Sequence, residues 1–274
     1  METPLVRIAP AAGSLNLNLL EIWQYRELLY FLIWRNIKVR YKQTIIGAGW
    51  AIIQPFLTMV IFSLFFGMLA RLPSEGLPYP IFYYSALLPW VYFANALNQA
   101  THTIVEHQHV IAKTYFPRVL LPISAVLSGL VDFALAFVVF VGMMVWYRIM
   151  PSARALALPL FLLLAISAAL AIGLWLSALN AMYRDVRYAL PYAVQLWMFA
   201  SPVAYPSSLV PEGWRWIYAL NPMATVIEGF RWALLGQGWP LGNSILGPAA
   251  VVFLLMVGGF AYFQRVEGTI ADIV

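Results

Sequence analysis

The chain consists of long apolar stretches separated by short segments that carry nearly all of its charges. Charge-free runs occupy residues 43–70, 76–105, 155–183, 188–211 and 232–264, and a further apolar stretch, 119–147, is interrupted only by Asp132. A helix needs about 20 apolar residues to cross the hydrocarbon core of a bilayer. The pattern therefore predicts an all-α membrane protein with six transmembrane helices in each protomer.

The segment before the first span has the pattern of a helix that lies in the headgroup plane. Apolar side chains recur there at three- and four-residue spacing, which predicts an amphipathic interfacial helix: Leu28, Phe31, Trp34, Ile37 and Tyr41. A neighbouring group of cations, called the basic collar below, consists of Arg35, Lys38, Arg40 and Lys42. Such cations can be a plain topological anchor, or they can contact a cytoplasmic partner or an anionic lipid-linked substrate. Both interpretations stay open.

The region between the fifth and sixth spans is too rich in proline for one membrane helix. Asn221 followed by Pro222 is a typical helix start, because asparagine caps the first turn and proline fits into it. Residues 223–235 then continue as an amphipathic helix in which Glu228 and Arg231 are three positions apart. The stretch from about 202 to 240 fits two short helices that dip into the outer face, with a loop lying on the outer surface as the alternative.

Composition and charge fix the class and the orientation. Hydrophobic residues make up 63% of the chain and charged residues 10%, which excludes an ordinary soluble domain. Eleven of the sixteen lysines and arginines fall on the side of the termini, so positive-inside reasoning places both termini in the cytoplasm. The predicted divisions are a cytoplasmic N-terminus, 1–45, a six-span domain, 46–264, and a cytoplasmic tail, 265–274. The charge lies in loops and forms no concentrated basic face, so no nucleic acid is expected.

The second cytoplasmic loop, 106–118, is longer than a bare turn between two spans requires. A brief helix over 104–115, stopped by Pro117, suggests a docking surface. The candidate coupling residues for a partner are Glu106, His107, His109, Lys113, Tyr115, Phe116 and Arg118. His107 and His109 point to different sides of a helix and have no third ligand nearby, so we expect no metal site.

The chain lacks the motifs of common catalytic and nucleotide-binding sites. None of its three lysines follows the glycine pattern of a phosphate-binding loop, and no paired carboxylates or nucleophile elbow occur. We therefore expect no catalytic residue and no cofactor in this chain. If transport consumes ATP, a separate polypeptide must bind the ATP and its Mg²⁺.

Two features lie deep in the predicted spans. Asp132 is a single intramembrane acid, too few for a proton relay, which favours a structural or channel-facing role. Phe62, Phe65 and Phe66 lie well inside the first span. Their rings either stack on sugar rings in a channel or pack against other helices, and composition does not separate these roles.

Four segments resemble the permease subunits of ABC-2-type exporters, specifically the family that exports O-antigen and related lipid-linked polysaccharides. They are RNIKVRYKQTIIGAGWAIIQP at 35–55, IAKTYFPRVLLP at 111–122, RDVRY at 184–188 and NPMATVIEGFRWALL at 221–235. The similarity extends over nearly the whole chain, and the segments occur in the family's order.

The resemblance implies a homodimeric channel of twelve spans in a bacterial inner membrane, working with two copies of an ABC ATPase. It places ATPase coupling on 28–42 and 106–117, and it places the outer re-entrant helices at 207–235. It also implies an undecaprenyl-diphosphate-linked polysaccharide, whose diphosphate the basic collar would guide while the first and fifth spans line the glycan path. The alternatives are a teichoic-acid or capsular polysaccharide exporter and, from other classes, a membrane-embedded transferase or a passive channel.

Overall fold

The computed structural model describes residues 19–42, 47–111, 113–237 and 245–273. No strand occurs within these residues, which confirms the all-α class. Residues 1–18 of the predicted N-terminal segment, 43–46 at the start of the first predicted span, 238–244 within the last one, and Val274 lie outside the described residues.

Eleven α-helices follow one another along the described chain. A π-helix at Ser63–Leu69 prolongs the third of them, and short 3-10 turns occur at Gly47–Gly49, Ala153–Ala157, Ser207–Leu209 and Glu212–Trp214. The α-helices are α1 (Leu19–Gln24), α2 (Arg26–Tyr41), α3 (Trp50–Phe62), α4 (Tyr79–Glu106), α5 (Gln108–Ile111), α6 (Leu120–Trp146), α7 (Leu158–Met182), α8 (Val186–Phe199), α9 (Arg215–Leu220), α10 (Pro222–Leu235) and α11 (Leu246–Ile273).

Within the described residues, four helical segments are long and apolar enough to cross a bilayer. They are Gly47–Leu69, Leu120–Trp146, Ala153–Met182 and Leu246–Glu267. Each coincides with one of the apolar stretches in the sequence. The membrane character of the protein and four of its predicted spans therefore agree with the structure.

The remaining two predicted spans correspond to α4 and α8. Helix α4 has 28 residues, enough to cross, but amide side chains along it make it less apolar than the other four segments. Helix α8 has only 14 residues and ends at Phe199, so the predicted span 188–211 was drawn too long. The predicted span 232–264 was also too long, because residues 232–235 belong to α10. The count of six spans stays a prediction.

Helix α4 forms the centre of the bundle and packs against α3, α6, α7 and α10. Its rings supply much of the core, among them Phe82, Tyr83, Tyr84 and Phe93, each fully buried. A helix surrounded by protein does not need a uniformly apolar surface, since its polar side chains meet other helices rather than lipid. The central position of α4 therefore explains its mixed composition.

Helix α2 lies along α6, but the face that it presents differs from the predicted apolar stripe. Leu32 is its buried residue, whereas Phe31 and Trp34 of that stripe are exposed. The cations Arg35 and Arg40 are half-buried instead. These cations make hydrogen bonds to polar side chains of the bundle, and the aromatic side chains therefore lie on the outside of the helix.

Helix α10 begins as predicted, because the side chain of Asn221 accepts a hydrogen bond from the backbone N–H of Met223 at 3.1 Å. It ends at Gly236, whose φ of +72° lies in the left-handed region that favours glycine. The predicted helix over 223–235 is present, but its amphipathic character is not, because no polar face of it is exposed. Almost every residue of α10 is buried, since the helix packs between α4 and α7 rather than on the surface.

A substitution at Gly229 tests the packing of α10 on α7. An added Cβ would lie 2.2 Å from ring atoms of Phe161, which is itself buried and cannot swing away. We expect Gly229→Ala to lower the thermal denaturation temperature in detergent clearly, because overpacking a tight contact costs about 1–3 kcal/mol.

Gly142→Ala in α6 is the matched control, because nothing lies within 4 Å of its added Cβ. It should leave the denaturation temperature unchanged or raise it slightly. Equal effects of the two substitutions would contradict the described packing of α10.

Candidate functional site

An ion pair joins the end of α2 to the middle of a span. Arg40, in the last turn of α2, donates hydrogen bonds to the carboxylate of Asp132 in α6 and to the side-chain oxygen of Gln99 in α4. The hydroxyl of Tyr41 donates to the second oxygen of Asp132. The side chains of Arg40 and Asp132 are only 24% and 22% exposed. The carboxylate of Asp132, deep in the apolar stretch, is therefore neutralised by Arg40 of α2.

The hydroxyl of Tyr41 is the second donor to Asp132. Burial, together with the neighbouring Asp132 carboxylate, raises the pKa of Tyr41 to about 12. The hydroxyl thus remains protonated at any physiological pH and keeps its role as donor to Asp132. Asn36 adds a further contact between α2 and α6, donating to the hydroxyl of Ser124 at 3.3 Å.

A cavity of about 260 Å³ opens beside the ion pair, between α2, α3, α4 and α6. We call it the junction cavity. Its polar lining combines the ion pair with amide and hydroxyl groups, and its apolar lining includes aromatic rings; the side chains that matter below are Trp50, Gln54, Asn95, Gln99 and Phe133. The structure therefore places Asp132 both in an ion pair and in the wall of a cavity.

The structure divides the basic collar into inward and outward members. Arg40 faces Asp132, and the guanidinium of Arg35 donates to Nε2 of His107, whose Nδ1 lies 2.8 Å from the carbonyl oxygen of Thr103. Lys38 and Lys42 are exposed, with the ammonium of Lys38 5.4 Å from the ring centroid of Trp34. Only the two lysines of the collar are thus presented outward.

The candidate residues of the predicted coupling loop, 106–118, also fall into an inward group and an exposed group. Phe116 is buried in a cluster with residues of α4, α6, α7 and α11. The backbone N–H of Arg118 donates to the carboxylate of Glu267 at 3.2 Å, and its guanidinium donates to the Glu267 carbonyl oxygen. The exposed members are Glu106, His109, Lys113 and Tyr115, whereas His107 is half-buried against α2. The loop is thus fixed at its base and presents a polar outer surface.

The three phenylalanines of the first span have different surroundings. Phe62 stacks on Tyr83 of α4 with 4.8 Å between ring centroids, and Phe66 lies 5.3 Å from Phe62. Phe65 is exposed on the other side of the π-helix. Phe62 and Phe66 thus contribute to packing, and Phe65 is the ring that faces outward.

Helix α10 contains a second ion pair, which is fully buried. Arg231 donates to Glu228 at 3.0 Å and to the carbonyl oxygen of Val203 at 3.0 Å, and its guanidinium lies 3.8 Å from the ring centroid of Phe82. Both charged side chains are 1% exposed. The pair predicted from i,i+3 spacing is therefore present, and it fixes the chain after α8 to the core. Asn221 adds to this connection, since its oxygen accepts from Trp197 and its amide donates to Ser201.

Sequence reasoning missed the amides Gln54, Asn95 and Gln99 in the junction cavity. A detectable signal existed, because each is a strongly polar residue inside a charge-free run that was assigned to the membrane. Their convergence on one cavity could not be read from the sequence, since they belong to two helices whose relative rotation is set by packing.

Comparison with known proteins agrees with the helical membrane architecture. The family described as "ABC-2 type transporter" matches residues 27–235. An O-antigen export system permease protein, RfbA, of Myxococcus xanthus is 28% identical over 247 residues, covering 89% of this chain and 94% of the relative. The RfbA protein of Klebsiella pneumoniae is 26% identical over 249 residues, 90% and 95% of the two chains. The polysialic acid transport protein KpsM of Escherichia coli is 25% identical over 244 residues, 86% and 92% of the two chains.

The contact between Arg40 and Asp132 can be measured by a double-mutant cycle. Asp132→Asn should lower the thermal denaturation temperature, because it leaves Arg40 half-buried beside a neutral group. Arg40→Gln should do the same. The double variant should lose less than the sum of the two, by an amount equivalent to about 0.5–3 kcal/mol.

Glu212 and Arg215 form an exposed pair and provide the control cycle, for which we expect nearly additive effects. Strict additivity at Arg40 and Asp132 would mean that the pair does not hold α2 against α6.

Proposed function

The chain belongs to the ABC-2 type transporter family, and we propose that it is the channel-forming membrane subunit of an exporter of O-antigen-type polysaccharide. The observation that carries this proposal is the family match over 27–235, which includes the interfacial helix, the cytoplasmic loop and the outer helices. The two RfbA relatives, each matched over about nine-tenths of this chain, support the choice of polysaccharide as cargo.

A separate ATPase supplies the energy in this proposal, with ATP and Mg²⁺ bound on that partner. The docking surface is the exposed side of loop 106–118, where Lys113 and Tyr115 are exposed to the cytoplasm in this proposal. The base of the loop is fixed by Phe116 in the core and by Arg118 on α11. A rigidly based loop can transmit a movement of the ATPase to the spans, because the force is not absorbed by a flexible connection.

The proposed assembly is a homodimer in a bacterial inner membrane, with six spans in each protomer and all termini in the cytoplasm. Helices α3 and α8 support it, since each buries few residues within the protomer: α3 buries Pro55 and Met59, and α8 buries Leu190 and Val194. Aromatic side chains such as Phe65, Tyr188 and Tyr192 are exposed along these two segments. We assign these surfaces to the glycan path and to the contact with the second copy.

The proposed substrate is a polysaccharide linked to undecaprenyl diphosphate, received at the basic collar. Lys38 and Lys42 are the residues that meet the diphosphate, because Arg35 and Arg40 are engaged by His107 and Asp132. A lysine ammonium attracts phosphate as a point charge and needs no fixed geometry. Exposed lysines next to a span are therefore suited to capturing a lipid headgroup that arrives from the membrane.

A capsular polysaccharide exporter is the second candidate, supported by the similarity to KpsM, which is named for polysialic acid transport. It shares the topology, the docking loop and the ATPase with the first candidate. A teichoic-acid exporter is the remaining option of the same kind. These options differ in the cargo and leave the proposed mechanism unchanged.

The proposed ATPase is tested by extracting the chain from its native membrane in mild detergent and identifying co-purifying proteins by mass spectrometry. We expect an ATPase with a nucleotide-binding motif in a 1:1 ratio to the chain. The doubly substituted variant Lys113→Glu/Tyr115→Ala should lose this partner, because it reverses a charge and removes an exposed ring on the docking surface.

Leu156→Ala, which alters an exposed side chain at the start of the fourth predicted span, should retain the ATPase. Recovery of the chain without any ATPase, under conditions that keep other transporters whole, would contradict the exporter proposal.

The role of the basic collar is tested by removing two charges. Lys38→Gln/Lys42→Gln should lower polysaccharide export several-fold while leaving the amount of assembled transporter unchanged, because both side chains point away from the bundle. Export is measured as surface polysaccharide, and assembly as the co-purified ATPase.

Arg26→Gln is the matched control on the same helix, since Arg26 is exposed but lies at the opposite end of α2. Unchanged export in the double variant would refute the proposed contact with the diphosphate.

A further inference from the structure

The junction cavity extends from the interfacial helix far into the membrane domain. Asn95 lies eleven residues before Glu106, the last residue of α4, which corresponds to roughly 16 Å along the helix axis. This is about half of the 30 Å hydrocarbon core. Gln54 of α3 lines the same cavity. Amides from two helices thus line one space that is well inside the span region.

These amides lack protein partners. The side chains of Gln54 and Asn95 are exposed, and within the described residues neither makes a side-chain hydrogen bond. An amide without a hydrogen bond costs about 4–8 kcal/mol in a hydrocarbon environment. Two such groups in one cavity therefore indicate that it holds water or a hydrogen-bonding ligand rather than lipid tails.

The charge of the cavity indicates the class of ligand. Its one cation, Arg40, is paired with Asp132 and also donates to Gln99, so the wall carries no net charge. A phosphate group would have to break this pair before it could be bound. An uncharged ligand can bind to the free amides without disturbing the pair, which favours a ligand rich in hydroxyl groups.

The aromatic lining completes the argument. Trp50 lines the cavity with half of its surface exposed, and the ring of Phe133 lies in the wall. Sugar rings present hydroxyl groups at their edges and C–H groups on their faces, so amides beside the exposed indole ring of Trp50 match both. The volume of about 260 Å³ is smaller than that of most pockets for drug-sized ligands, which suits one ring rather than a chain.

We propose that the junction cavity binds a single uncharged sugar unit through Gln54, Asn95 and Trp50. The sugar comes either from the exported glycan or from the headgroup of a membrane glycolipid, since both present the same chemistry. This inference deepens the proposed function and rests on it, because a polysaccharide exporter meets sugar units at this membrane face. It places a sugar contact inside each protomer, in addition to the path between protomers.

The natural absence of cysteine allows a direct test. Asn95→Cys and Gln54→Cys each introduce a single thiol into the cavity, and each protein is placed in nanodiscs of phosphatidylethanolamine and phosphatidylglycerol. We expect a membrane-impermeant methanethiosulfonate reagent to modify both thiols. Val138→Cys on α6 is the control. Val138 is 69% exposed but lies within the candidate span Leu120–Trp146 and does not line the cavity, so the water-soluble reagent should leave it unmodified.

Occupancy is then read from protection of the thiols. We expect one of the free sugars glucose, galactose, mannose, rhamnose or N-acetylglucosamine to slow the labelling, by about tenfold at ten times its dissociation constant. Trp50→Leu in the Asn95→Cys background should remove the protection while leaving the labelling itself intact. Protection by a glucosyl diacylglycerol added to the nanodiscs, but by no free sugar, would assign the site to a glycolipid headgroup.

The inference would be overturned by thiols that the reagent cannot reach, or by thiols that neither the free sugars nor the glucosyl diacylglycerol protect. Protection by pyrophosphate in place of sugar would show an anion site and would overturn it as well. The assay needs neither an ATPase nor export. A missing ATPase partner would therefore refute the proposed function without affecting this measurement, and the two failures remain distinguishable.

Discussion

The ion pair between Arg40 and Asp132 is the interaction on which the architecture of the membrane face depends. A carboxylate inside an apolar span costs several kcal/mol unless a cation accompanies it. The cation comes from α2, so neutralising Asp132 also fixes α2 along α6. The hydroxyl of Tyr41 and the amide of Gln99 complete the coordination, and α4 thereby joins the contact. One electrostatic requirement thus connects three helices.

This arrangement assigns different roles to cations that look equivalent in the sequence. Arg35 and Arg40 hold α2 in place, whereas Lys38 and Lys42 remain exposed. Arginine suits the first role, because its planar guanidinium can donate to two acceptors at once, as Arg40 does. Lysine suits the second, since a flexible ammonium can follow a mobile anion. The structural and the proposed binding functions of the collar are thereby separated by residue type.

The two faces of the bundle are organised on the same principle, a charged contact that anchors an irregular segment. At one end, Arg118 holds the loop 106–118 to Glu267 of α11. At the other, Arg231 and Glu228 form a buried pair. The guanidinium of Arg231 also donates hydrogen bonds to backbone carbonyl oxygens of the segment following α8. Backbone groups outside helices need such partners when they are removed from water. Between these anchors, α3 and α8 bury fewer residues against the rest of the chain.

The sequence by itself determined the helical class, the location of most spans and the start of α10. These features depend on local properties: the length of an apolar run relative to the bilayer, and the capping of a helix by Asn221 next to Pro222. Tertiary structure alone decided that α10 is buried on all sides, that α2 turns Arg35 and Arg40 inward, and that Gln54 and Asn95 share a cavity with Asp132. Each of these depends on contacts between residues far apart in the chain, such as Arg40 with Asp132. Local periodicity shows that a helix has distinct faces, but only the packing of its neighbours determines which face meets them.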